Sequence, residues 1–160
     1  LFAVEGFRRA VEPAIEVING ASRFLEPQLM MLAISLDRFG YYRYGQQRRR
    51  AMHEHILKCL EAADLDWSST IGSQVGIAKA ITAVNNDLKH PDRESYPDLE
   101  TLAGLVRLTK IIVRAQVFDL IGVEDELRKK FLGRSDAAAA VKSFTDYGIM
   151  IDDGGRFQLS

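Results

Sequence analysis

Apolar residues along this chain recur mostly at three- and four-residue spacings, the signature of helices that bury one face. The first such run spans Val4 to Ile18 and closes on Asn19-Gly20, a helix stop, while Pro13 inside it predicts a kink or a restart. A second helix is expected from Ser22, as N-cap, to about Tyr44, with Pro27 in its early turns and Leu29, Leu32, Ala33, Leu36 and Phe39 as its buried stripe. A third is expected from Gln46 to Ala63, with Met52, Ile56, Leu57 and Leu60 facing inward. Asp64 to Ser69 reads as a connector from which Trp67 docks into the core. A fourth helix is predicted from Ser69 or Thr70 to Asn85 or Asn86, its Gly72 and Gly76 one turn apart and suited to close helix contact.

The segment from His90 to Asp98 holds two prolines and reads as an ordered loop or turn. Leu99 to Ile121 carries the strongest pattern in the chain. Asp98 is its natural N-cap and Gly122 its stop, and its apolar residues surround more than one face, which places it at the centre of a bundle. Glu124 to Leu132 and Ser135 to Asp146 follow as short helices, the second capped by Ser135. Gly148 to Leu159 then reads as a small β-hairpin with a tight glycine turn. The expectation is an all-α fold: a bundle of about five main helices over residues 1–134, with residues 135–160 as a C-terminal helix and hairpin extension of the same domain.

With 160 residues, 47% hydrophobic and 27% charged, the chain has the composition of an ordinary globular domain with a core of its own. The apolar run from Leu99 to Val123 is broken by Arg107, Lys110, Arg114 and Asp119, which makes it a poor membrane span. Arg8, Arg9 and Glu12 likewise argue against a signal peptide at the start. Opening on Leu suggests a piece of a longer chain with a further N-terminal domain. One cysteine, Cys59, excludes an intramolecular disulfide and a CxxC metal cluster, and fits a reducing cytoplasm. A net charge of −1 excludes a broad attraction to nucleic acid, so an RNA-binding surface would be a local patch. No metal site and no cofactor are expected: His55 and Cys59 lie one turn apart without a third ligand nearby, and no phosphate-binding glycine loop or serine-nucleophile pattern occurs.

The densest chemistry is Asn85-Asn86-Asp87-Leu88-Lys89-His90-Pro91-Asp92-Arg93, which gathers amides, carboxylates, cations and an imidazole at a helix end. In the plainest reading these residues only cap a helix terminus. The run from Asn85 to His90 nevertheless resembles the motif of HEPN (higher eukaryotes and prokaryotes nucleotide-binding) modules, in which Arg, usually Asn, several residues and then His lie between two bundle helices. Asn86 matches the asparagine and His90 the histidine. The long apolar helix ending Phe118-Asp119-Leu120-Ile121-Gly122-Val123 agrees with the C-terminal HEPN module of ApeA-type anti-phage proteins, a resemblance covering roughly Ala21 to Leu132.

The resemblance implies metal-independent RNA cleavage in a defence or toxin-type system, by a homodimer that pairs two copies of the motif. His90 would then be general acid and base, Asn86 and Asp87 would position the substrate, and Lys89 or Arg93 would contact phosphate. The motif arginine is replaced by Asn85. The alternative it raises is a catalytically degenerate module that binds RNA or dimerises for an upstream domain. Arg48 and His53, and Arg50 and His55, repeat the arginine–histidine spacing but fall inside the predicted third helix, where Arg50 and Glu54 form an i,i+4 pair. Arg43, Arg48, Arg49 and Arg50 are also the densest basic cluster, a second candidate for RNA-backbone contact.

Overall fold

A computed structural model describes residues 4–20, 22–45, 50–90, 92, 97–132 and 135–159. Among the described residues the order is α1 (Val4–Ile18), α2 (Leu25–Arg43), α3 (Met52–Ala62), α4 (Gln74–Lys89), α5 (Leu99–Ile121), α6 (Asp125–Leu132), α7 (Ser135–Asp146), β1 (Ile149–Ile151) and β2 (Phe157–Leu159). The protein is an all-α bundle with one small hairpin. None of these helices is long and apolar enough to cross a membrane.

The centre is built from α2 and α5. α1 and α3 pack on α2, α4 packs on α3, and α5 lies against both α2 and α7. α5 buries residues over more than one face, Leu102, Leu105, Leu108, Ile111, Ile112 and Val113 among them, as its sequence predicts for a central helix. Several polar groups in this interior are matched to partners. Thr109 Oγ1 donates to Leu105 O at 2.6 Å, and Gln116 Nε2 donates to Cys59 O at 2.9 Å. The other end of the Gln116 amide accepts from Arg43 Nε at 2.7 Å. Ser35 Oγ donates to Ala10 O, which ties α2 to α1. Ala140 and Phe144 of α7 and Ile149 and Ile151 of β1 join the same core, which Trp67 also enters.

Several helix limits follow from local chemistry. Asp98 accepts from Thr101 N at 2.7 Å and Gly122 takes the left-handed conformation (φ 66°), so α5 starts and stops where its sequence says. α1 and α7 also have their expected ranges, and α1 runs through Pro13 without a restart. α2 begins later than expected. Phe24 holds the N-cap position without a side-chain bond, while the Ser22 hydroxyl is spent on Phe24 O at 3.3 Å. α3 likewise begins only at Met52. Glu54 Oε2 folds back to accept Ala51 N–H at 2.9 Å and fixes the start there, so Arg50 precedes the helix instead of lying within it.

α4 differs at both ends. Its true N-cap is Ser73, which accepts from Gly76 N at 3.1 Å. The residues before it, Trp67 to Gly72, form a turn closed by Ile71 N donating to Trp67 O at 2.8 Å. Gly72 and Gly76 do permit a close approach, but of the hairpin and not of another helix. A Cβ on Gly72 would lie 2.3 Å from Ile151 O, and one on Gly76 would lie 2.3 Å from Asp152 O. The hairpin pairs Ile149 with Leu159 and Ile151 with Phe157 around a turn in which Asp152 Oδ1 accepts from Gly154 N and Arg156 N. At its C-terminal end α4 continues to Lys89, three residues beyond Asn86.

Candidate functional site

Because α4 extends past both asparagines, the predicted site residues occupy the last turn of a helix and its cap. His90 is the C-cap, in a non-helical conformation (φ −126°, ψ 78°), and its N–H bonds back to Asp87 O at 3.1 Å. Its ring is exposed to solvent, as are the side chains of Asn86 and Lys89. Asn86 and Lys89 are three residues apart, so they share one side of the helix. The terminus therefore presents an imidazole, an amide and an ammonium together.

The other two members of the run point elsewhere. Asn85 has no exposed surface, and its Nδ2 reaches Met52 Sδ, a weak acceptor, at 3.4 Å. Among the described residues its buried Oδ1 has no hydrogen-bond partner. Asp87 lines a cavity of about 390 Å³ between α4, the start of α5 and the hairpin, together with Asp98 and Arg156. Arg48, Arg49 and Arg93, the remaining predicted phosphate contacts, lie outside the described residues; among the described residues the exposed terminus of α4 brings together Asn86, Lys89 and His90.

A second histidine stands in a different setting. His55 is 4% exposed, and its Nδ1 lies 2.7 Å from Asp37 Oδ1 across the α2–α3 contact. A carboxylate at one ring nitrogen fixes the tautomer and orients the ring, leaving Nε2 as the chemically available atom. Here Nε2 is buried, without a partner among the described residues. Tyr44 lies 5.9 Å from the His55 ring, centroid to centroid, and carries the Arg50 guanidinium 4.2 Å above its own face. Arg50 also pairs with Glu54 at 2.9 Å; the Ala51 N–H and then Arg50 hold that carboxyl below its usual range. Gly40 admits the α3 backbone, since a Cβ there would sit 2.4 Å from His55 Cα.

The spacing of Arg50 and His55 was visible in the sequence, but Asp37 lies 18 residues before His55, and no local pattern links the two. Cys59, one turn further along α3, is fully buried. Burial pushes its thiol up to about 12, so it is no nucleophile at neutral pH. Among the described residues no group of three or more His, Cys, Asp or Glu is placed to hold a metal ion.

Protein-family models, curated proteins and solved structures were all compared with this chain, and none matches.

Proposed function

We propose that this bundle is a HEPN-like module that cleaves RNA without a metal, acting as a dimer at the His90 end of α4. The observation that carries this reading is the joint exposure of His90, Asn86 and Lys89 on one helix terminus. The chemistry requires no protein nucleophile. A ribose 2′-hydroxyl attacks the adjacent phosphate and expels the 5′-oxygen of the next nucleotide, leaving a 2′,3′-cyclic phosphate; His90 takes the 2′-hydroxyl proton and returns it to the departing 5′-oxygen, and Lys89 contacts the phosphate as negative charge builds on it. Purified protein should cleave single-stranded RNA equally well with and without EDTA, and His90→Ala should abolish cleavage. Cleavage by that variant at the parent rate contradicts the assignment.

One observation favours a second reading, a degenerate module that binds RNA or dimerises without cutting. Asn85, at the position of the motif arginine, is sealed in the core and brings no cation to the surface. On that reading RNA is bound in a salt-sensitive manner and recovered intact.

A further inference from the structure

Three contacts seat the hairpin turn on α4. Ser73 Oγ donates to Asp153 Oδ1 at 2.5 Å, Lys79 Nζ donates to Asp153 O at 2.8 Å, and Gly155 lies so near that a Cβ there would sit 2.7 Å from Ala80 N. Asp152 then holds the residue beyond the turn, its Oδ2 accepting from Arg156 Nε at 2.9 Å. Arg156 and Phe157 are thereby fixed as one wall of the cavity of about 390 Å³ that α4 and the start of α5 complete.

That volume falls within the range of small-molecule sites, roughly 300–1,000 Å³. Ala83, Val84 and Phe157 give the cavity apolar surface, including an aromatic ring on which a base can stack. Asp98 gives it an acceptor. Its Oδ1 bonds Thr101 N at 2.7 Å, which leaves the second carboxylate oxygen for a ligand. The side chain of Arg156 is 82% exposed, and its guanidinium offsets the repulsion between that carboxylate and an RNA phosphate. Asp87 lines the same cavity three residues before His90, a rise of about 4.5 Å along the helix. The sugar that joins a base to its phosphate can bridge such a gap.

We propose that this cavity holds the base of the nucleotide whose 2′-hydroxyl gives its proton to His90, and that it selects bases with an exocyclic amino group. The selection lies with Asp98. Adenine, cytosine and guanine each present an amino donor to a carboxylate, whereas uracil presents one ring N–H between two carbonyl oxygens that a carboxylate repels. The identity of the ligand rests on the cleavage reading given above.

The test is a titration of the full chain with each of the four nucleoside 3′-monophosphates, followed by NMR at the Gly155 and Phe157 amides. Saturable shifts are expected for the adenosine, cytidine and guanosine nucleotides. The uridine nucleotide should bind at least about tenfold more weakly, the difference of one hydrogen bond to a charged group. Asp98→Asn preserves the helix cap, because Asn caps as well as Asp, but turns the second oxygen into an amide donor. In that variant the uridine nucleotide should bind at least as tightly as the cytidine nucleotide. The proposal is overturned if none of the four shifts those amides saturably, or if Asp98→Asn leaves the preference unchanged. Failure of the cleavage reading shows differently: RNA stays intact while the amino-bearing nucleotides still bind and the Asp98→Asn reversal still occurs.

Discussion

The two histidines that matter here, His55 and His90, sit at opposite extremes of the same bundle. His55 is enclosed where α2 meets α3, its ring held by Asp37, faced by Tyr44 and braced by the Gly40 backbone contact. His90 caps α4 in an exposed position, its N–H bonded back to Asp87 O. The first has the oriented carboxylate–imidazole geometry associated with proton transfer but is only 4% exposed; the second is exposed at a helix end. Orientation without access suits a structural pair, in which Asp37 satisfies Nδ1 of a buried ring although Nε2 has no partner among the described residues. Access at a helix end, beside an amide and an ammonium, suits a ligand as large as RNA. The contrast fits packing at the α2–α3 junction and leaves the exposed α4 terminus as the surface that the proposed RNA recognition would use.

The largest way to break that comparison lies at Asn85. Putting the motif arginine back, Asn85→Arg, should not restore a site, because the position is closed; it should strand a charge in the core at roughly 3–5 kcal/mol of stability. Urea unfolding reads the loss, and a stable variant with a solvent-exposed guanidinium would contradict the burial described. Gly40→Ala should be next, at about 3 kcal/mol, since the new methyl meets His55 backbone atoms that cannot step aside. A smaller loss, about 1–2 kcal/mol by chemical denaturation, is expected for Asp37→Ala, which leaves His55 Nδ1 unpaired beside a partly wet position.

Cys59 offers a pH test of the same junction. Burial pushes its thiol up from the ordinary 9.0 to about 12, so well below pH 9 both folded and unfolded states are protonated and stability is indifferent to it. Between pH 9 and pH 12 only the unfolded chain gives up the proton, and stability should fall as pH rises through that window. Thiol labelling at pH 8 should accordingly track global unfolding, and rapid labelling of the native protein would contradict the burial. The smallest effect on stability belongs to His90→Ala, less than about 0.5 kcal/mol, as for other exposed surface positions.

Much of the architecture was legible because local and tertiary signals agreed. α5 carries its cap, its stop and an apolar surround in its own sequence, and Asp98 and Gly122 do what their residue types predict. The limits of α4 were not legible, for reasons that are not local. Gly72 and Gly76 looked like a helix–helix contact, but their missing side chains make room for a hairpin about 80 residues away. Asn85 and Asn86 looked like a terminus because short polar residues usually are one. Asn85 instead packs against Met52, and the helix continues to a cap at His90. The Asp37–His55 pair joins two helices and leaves no mark on either alone. Asp98 and Arg156 lie far apart in the chain, and that they line one cavity depends on how the hairpin seats on α4.

The most direct test of the division between the two regions is a side-by-side RNA cleavage assay in EDTA with the parent, His90→Ala and Asp37→Asn proteins, each at matched folded fraction. The account predicts that His90→Ala loses cleavage while keeping parental stability, and that Asp37→Asn keeps cleavage while losing stability. The reverse pattern, with activity following Asp37 and indifferent to His90, would place the chemistry at the buried ring and contradict the account.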